Sequence, residues 1–192
     1  MTRVFVTTCV AFLGLAFAVA AQDIKVAQPS AYSSADLAAF HGSQNTLTNA
    51  ISDAQQSTGG TVLEIRFAPL NGKPGFHTVV AKQGQVVFGR LQPPSKQVNQ
   101  LATQPDWMLN WRQRTDVSLA DKAKISLSQA IRTAESEAGA PAVAAGLARS
   151  ASEISVHAYN VLLDQGGTTK RIAIDSNSGE VIQNPSQLAN YP

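Results

Sequence analysis

The chain has 192 residues, 15 Lys and Arg against 13 Asp and Glu, and one cysteine. A formal net charge of +2 with no long basic stripe excludes the usual electrostatics of nucleic-acid binding. A lone cysteine excludes an intrachain disulfide framework.

The N-terminus carries one cation, Arg3, then an apolar run of about 15 residues from Val4 that ends in small side chains. Val19 and Ala21 stand at the −3 and −1 positions before Gln22, so residues 1–21 read as a cleavable secretory signal peptide. Cleavage after Ala20, using Ala18, fits nearly as well. The run is shorter than the roughly 20 residues a bilayer core requires, which makes an uncleaved anchor the weaker alternative. Cys9 sits inside the run rather than after it, which argues against lipid attachment. The expected mature chain therefore has no thiol, hence no cysteine nucleophile and no thiolate metal site, and it depends on an apolar core. The expected location is periplasmic or secreted, without stable membrane insertion after cleavage.

Residues 22–44 are rich in Ser, Ala and Gln and read as a loose lead-in with one helical turn around Asp36 to Phe40. Next comes the strongest internal pattern. Leu47-Thr48-Asn49-Ala50-Ile51-Ser52-Asp53-Ala54 matches Leu127-Ser128-Gln129-Ala130-Ile131-Arg132-Thr133-Ala134 at an offset of 80 residues. Both place apolar residues at i, i+3, i+4 and i+7, one face of an amphipathic helix. Both end at glycine, Gly59-Gly60 and Gly139, which can close a helix in the left-handed conformation.

Strands are predicted after each helix. Val62 to Phe67 alternates, with Leu63, Ile65 and Phe67 on one face and Glu64 and Arg66 on the other. A loop at Asn71 to Gly75 leads to a hairpin of Phe76–Lys82 and Gln85–Leu91 about Gln83-Gly84. The segment 92–124 opens with Pro93-Pro94 and reads as a connector with a short helix, Asp106 to Trp111, carrying two tryptophans four residues apart. After the second helix, Ala142 to Ser150 aligns with a strand although its alanines favour helix. Strands follow at Ser152 to Asp164 and Thr168 to Asp175, and Ser176 to Gly179 turns the chain into Glu180-Val181-Ile182. The expected fold class is α+β, two repeats of a helix packed on a small antiparallel sheet: residues 45–91 and 125–185, with a tail at 186–192. Each repeat is near the lower size limit for independent folding, so the two are expected to pack as one unit.

The second repeat resembles the PepSY domain. The resemblance is carried by Leu-Ser-x-Ala-Ile-x-x-Ala from Leu127, by Tyr159-Asn160-Val161-Leu162-Leu163, and by Ile172 to Ile182 with its Asp-x-x-x-Gly-Glu-Val ending. The first repeat looks like a degenerate copy, because Gln92-Pro93-Pro94-Ser95 stands in place of the Asp-x-x-x-Gly turn. Domains similar to PepSY occur in bacterial envelope proteins and in metallopeptidase propeptides. The resemblance thus implies a role in inhibiting or regulating a peptidase, and it transfers no catalytic residue. Asp175 and Gly179 are expected to serve the turn itself, Asp by capping its own backbone and Gly by taking a positive φ.

Catalytic constellations are hard to assemble from this sequence. His41, His77 and His157 are its only histidines, none at a metal-ligand spacing, and no serine lies in a Gly-x-Ser-x-Gly elbow. His77 and His157 could converge only if two separate sheets pack together. Glu135 and Glu137 lie two apart on a helix and read as solvated charge. Asp175-x-Asn177-x-Gly179 has part of a calcium-loop spacing, but Ser186 stands where the closing acid belongs. No catalytic, cofactor or metal residue is expected. The candidate partner-binding residues are Trp107, Trp111 and Tyr159, with a protein of the cell envelope as the expected partner. The competing readings, tryptophans plugging the joint between repeats and Tyr159 in the core, carry the greater weight. The expected function is an exported, non-catalytic binding module that acts on a peptidase; the alternative is a structural or accessory subunit of an envelope complex without effect on proteolysis.

Overall fold

The computed structural model describes residues 32–43, 45–69, 71–149 and 157–183. The expected signal peptide, the start of the lead-in and the 186–192 tail lie outside the described residues, as does the first part of the expected Ser152–Asp164 strand. Helix α1 (Ser34–Gly42) extends the single turn expected in the lead-in. Helix α2 (Leu47–Thr58) is followed by β1 (Thr61–Phe67), β2 (Phe76–Lys82), β3 (Gln85–Leu91) and β4 (Val98–Pro105). A 3₁₀ turn (Asp106–Met108), α3 (Trp111–Lys122), α4 (Leu127–Ala138), β5 (Ala142–Arg149), β6 (His157–Asp164) and β7 (Thr169–Asp175) complete the order.

All seven strands form one antiparallel sheet in the order β4-β3-β2-β1-β5-β6-β7. β1 and β5 join its two halves through only three residue pairs, Glu64–Gly146, Ile65–Ala145 and Arg66–Ala144. Beyond that seam the Tyr32 hydroxyl donates to the carbonyls of Phe67 and Val143, each at 3.1 Å, where the two strands part.

The two amphipathic helices share one face of the sheet. Leu47, Ala50, Ile51 and Ala54 of α2 and Leu127, Ala130, Ile131 and Ala134 of α4 are buried against Ile65, Phe67, Val80, Val161 and Leu163. Each starts with a side-chain cap, Thr46 on the Asn49 N–H and Ser126 on the Gln129 N–H, which satisfies amides left without partners in the first turn. Each ends on a glycine with φ of 70° or 64°, at Gly59 and Gly139. A β-bulge interrupts β1 between Val62 and Glu64, and another interrupts β5 between Ala142 and Ala144. Phe40 of α1 closes the core at one end, edge-on to Phe67 at 5.2 Å.

The segment expected as a connector is instead part of the fold. It supplies the edge strand β4 and the 12-residue helix α3, which lies on the opposite face of the sheet. Gln113 of α3 donates to Gln104 of β4 at 2.7 Å, and Asp116 acts electrostatically on Glu64 of β1. The Asp106 to Trp111 helix is also corrected. Trp107 belongs to the 3₁₀ turn and Trp111 opens α3, so the tryptophans sit on separate elements.

Candidate functional site

Where β4 leaves the sheet, the chain turns sharply to start α3. Leu109 anchors that corner in the core and Asn110 caps α3 through a reciprocal pair with Gln113, at 3.0 and 2.9 Å. These fixed points leave their neighbours outside. Trp107 is 77% exposed, Trp111 68%, Leu101 58% and Met108 43%. They are the exposed large apolar residues among those described, and all four fall within residues 101–111. The reading in which the tryptophans plug the joint between repeats is therefore overturned. The seam between the halves is made by β1 and β5, while the tryptophans stand at the far edge of the sheet. Arg112 lies 5.5 Å from the Trp111 ring centroid, a cation–π distance.

Tyr159 does not join this surface. It is buried on β6, its hydroxyl donates to the Ile125 carbonyl at 3.0 Å, and burial raises its phenol to about 12. Its place is the wall of a cavity of about 330 Å³ between α2, the start of α4 and the α3–α4 link, lined also by Gln55, Lys124, Ser126 and Ser128. The partner-binding role considered for Tyr159 thus gives way to the packing one.

A second polar locus was not expected from the sequence. On the α3 face of the sheet, cross-strand register places Arg66, His77, Arg90 and Asn99 side by side on β1 to β4. An Arg90 Nη2–H donates to Nε2 of His77 at 2.8 Å, so that nitrogen must be the acceptor of a neutral ring. Desolvation, with the guanidiniums of Arg66 and Arg90, pushes His77 down to about 4. One step along β1, Glu64 is buried and its carboxyl rises to about 7, mainly by desolvation, with Arg66 opposing and Asp116 adding to the rise. Alternation placed Glu64 and Arg66 on a polar face. Only the partly polar helix α3 explains why that face is covered, and a capping pair, Asn110 with Gln113, is the one local signal for it.

The remaining candidates resolve simply. His77 on β2 and His157 on β6 are separated by β1 and β5, so they do not converge. His41 of α1 donates from Nε2 to the buried Asp164 carboxylate at 2.6 Å and fastens α1 to the end of β6. Glu135 is not merely solvated, since it accepts the Ala142 N–H at 2.9 Å. Asp175 Oδ1 accepts the N–H groups of Asn177 and Ser178 at 2.8 Å each, and Gly179 has φ 78°, the turn role expected of both. Among the described residues no group of three His, Cys, Asp or Glu side chains is placed to hold a metal, and no helix is long and apolar enough to cross a membrane.

No protein-family model matches the chain, and no curated protein matches it. A crystal structure of a protein from Clostridium difficile 630, described as a "putative lipoprotein", is similar at 16% identity and TM-score 0.42, covering 65% of this chain and 80% of that one.

Proposed function

We propose that this protein is an exported binding module that engages a protein of the cell envelope through the corner formed by Leu101, Trp107, Met108 and Trp111. The observation that carries the reading is the concentration of exposed large apolar side chains in one eleven-residue stretch. Scattered apolar residues are ordinary on a surface, whereas two tryptophans with Leu and Met on one corner have the composition of an interface centre. The apolar leader at residues 1–21 supports export.

The module consists of two PepSY-like copies of one helix–three-strand unit. Its support lies in features repeated at the same 80-residue offset: the caps Thr46 and Ser126, the closing glycines Gly59 and Gly139, and the bulges after Val62 and Ala142. The sheet order, with β3-β2-β1 mirrored by β7-β6-β5 about the seam, supports the same duplication. The PepSY-like character makes an envelope peptidase the first partner to test.

The test compares cross-linked complexes of the tagged exported chain with those of Trp107→Ala/Trp111→Ala in the envelope of the producing cell. We expect one dominant protein captured by the wild type and lost with the double variant, followed by saturable inhibition if that protein is a peptidase. A dominant partner without peptidase activity would establish the accessory role instead. Equal capture by both proteins would sink the assignment of the corner.

A further inference from the structure

The two edges of the sheet are treated differently. Outside β7 the chain doubles back: the Asp175 N–H donates to the Glu180 carbonyl and the Ile182 N–H to that of Ala173, each at 2.9 Å, and Val181 bridges Ile174. That edge is covered, and β7 also carries Lys170 and Arg171. At the other edge, β4 pairs with β3 on its inner side and with no strand on its outer side among the described residues. The Val98 N–H is directed to a side chain, Ser57 Oγ of α2, at 2.9 Å.

Natural sheets protect such an edge with charges, which make pairing with a foreign strand costly. β4, Val-Asn-Gln-Leu-Ala-Thr-Gln-Pro, has no charged residue over its length. A bulge at Leu101 and the terminal Pro105 are its only interruptions, and Asn99, Gln100, Leu101 and Thr103 are exposed. The strand runs directly into the turn that presents Trp107, Met108 and Trp111. An open uncharged edge and an apolar corner are therefore continuous on one stretch of chain.

From this continuity we infer that the partner presents an extended segment, which adds to the sheet along β4 by backbone pairing and rests its apolar side chains on Leu101 and Trp107. Charge then defines the segment further. Lys96 precedes β4, while beyond it the exposed Arg112 and Arg114 outnumber the exposed Asp106, Asp116 being buried, so the exposed charge at both ends of the strand is net positive. An acidic segment with alternating apolar residues fits that field. A second copy of this chain would bring positive ends together. Backbone pairing explains how an edge of uncharged polar side chains can bind, since affinity comes from the main chain and specificity from alternate side chains.

The inference rests on the proposed role of the tryptophan corner, and the experiment separates the two. A random dodecapeptide library is selected on the immobilised full chain, and recovered peptides are resynthesised with alternate backbone amides N-methylated in each of the two phases. We expect acidic peptides with alternating apolar positions. Methylation in one phase should weaken binding roughly tenfold or more, and methylation in the other should be tolerated, because a strand turns alternate amides toward its neighbour. Trp107→Ala/Trp111→Ala should weaken the same peptides by a similar factor. Peptides that need the tryptophans but respond equally to both phases overturn the strand pairing and leave the corner standing. Peptides indifferent to the tryptophans overturn the corner itself. Failure to recover any peptide, or a concentration-dependent dimer dissolved by Leu101→Lys, overturns the inference in favour of a folded surface or a second copy.

Discussion

Glu64 and His77 face the same side of the sheet on adjacent strands, and their protonation pulls stability in opposite directions with pH. Burial raises the Glu64 carboxyl from 4.5 to about 7 in the folded chain, so its stabilising contribution is complete below pH 4.5 and is lost as pH rises through 7. A displacement of that size corresponds to about 3 kcal/mol. His77 is depressed from 6.5 to about 4, so its contribution is present above pH 6.5 and is lost as pH falls through 4. It is only half-buried, and solvent screening reduces its share to about 1–2 kcal/mol. Between pH 4.5 and 6.5 the His77 gain therefore offsets only part of the Glu64 loss, and from there to about pH 7 the Glu64 loss continues alone. We predict urea-unfolding free energies that fall by about 1–2 kcal/mol from pH 4.5 to 7 and level off above it. Glu64→Gln should leave a curve that rises with pH to 6.5 and then flattens, whereas His77→Gln should leave one that falls more steeply than the wild type from pH 4.5 to 7. Parallel curves for the wild type and Glu64→Gln would refute the reasoning, because the buried carboxyl would then not be the group that titrates.

Three further outcomes follow from local packing. Gly89→Ala would place a Cβ 2.3 Å from Val98 Cγ1, so it should destabilise by about 1–3 kcal/mol and increase amide exchange in β4. Tyr159→Phe removes the bond to the Ile125 carbonyl and should cost about 1 kcal/mol in chemical denaturation, with no change in partner binding. Asp164→Ala strands His41 and the Gly167 N–H, bonded at 2.6 and 3.0 Å, and should cost about 1–3 kcal/mol while exposing α1 to proteolysis first.

Helices α2 and α4 were legible because their buried residues repeat with the helical period, and the hairpin of β2 and β3 because alternation and a Gln-Gly turn coincide. β5 was harder to read. Its alanines suit a helix by propensity, but the strand is central and Ala142, Val143, Ala144, Ala145, Leu147 and Ala148 are all buried, so small side chains are what the crowded position admits. At Gly146 an added Cβ would meet Glu64 Cγ at 3.2 Å. β4 and α3 escaped because neither has a hydrophobic period: β4 is an exposed edge of Asn, Gln and Thr, and α3 buries only Asp116 and Leu119. The polar row of Arg66, His77 and Arg90 depends on register between strands, which no single strand encodes. The tryptophans drew notice as residue types, while their exposure depends on where the missed elements place the corner.

The seam between the halves has a consequence for how the chain is made. Synthesis delivers β1 well before β5, and the two segments that must meet are about 80 residues apart in sequence. During that interval the inner edge of β1 lacks its final neighbour, and Tyr32, already emerged, can reach only one of its two carbonyls. The half-made protein is thus open along what later becomes its centre, and it is most vulnerable to stray pairing before the last third of the chain arrives.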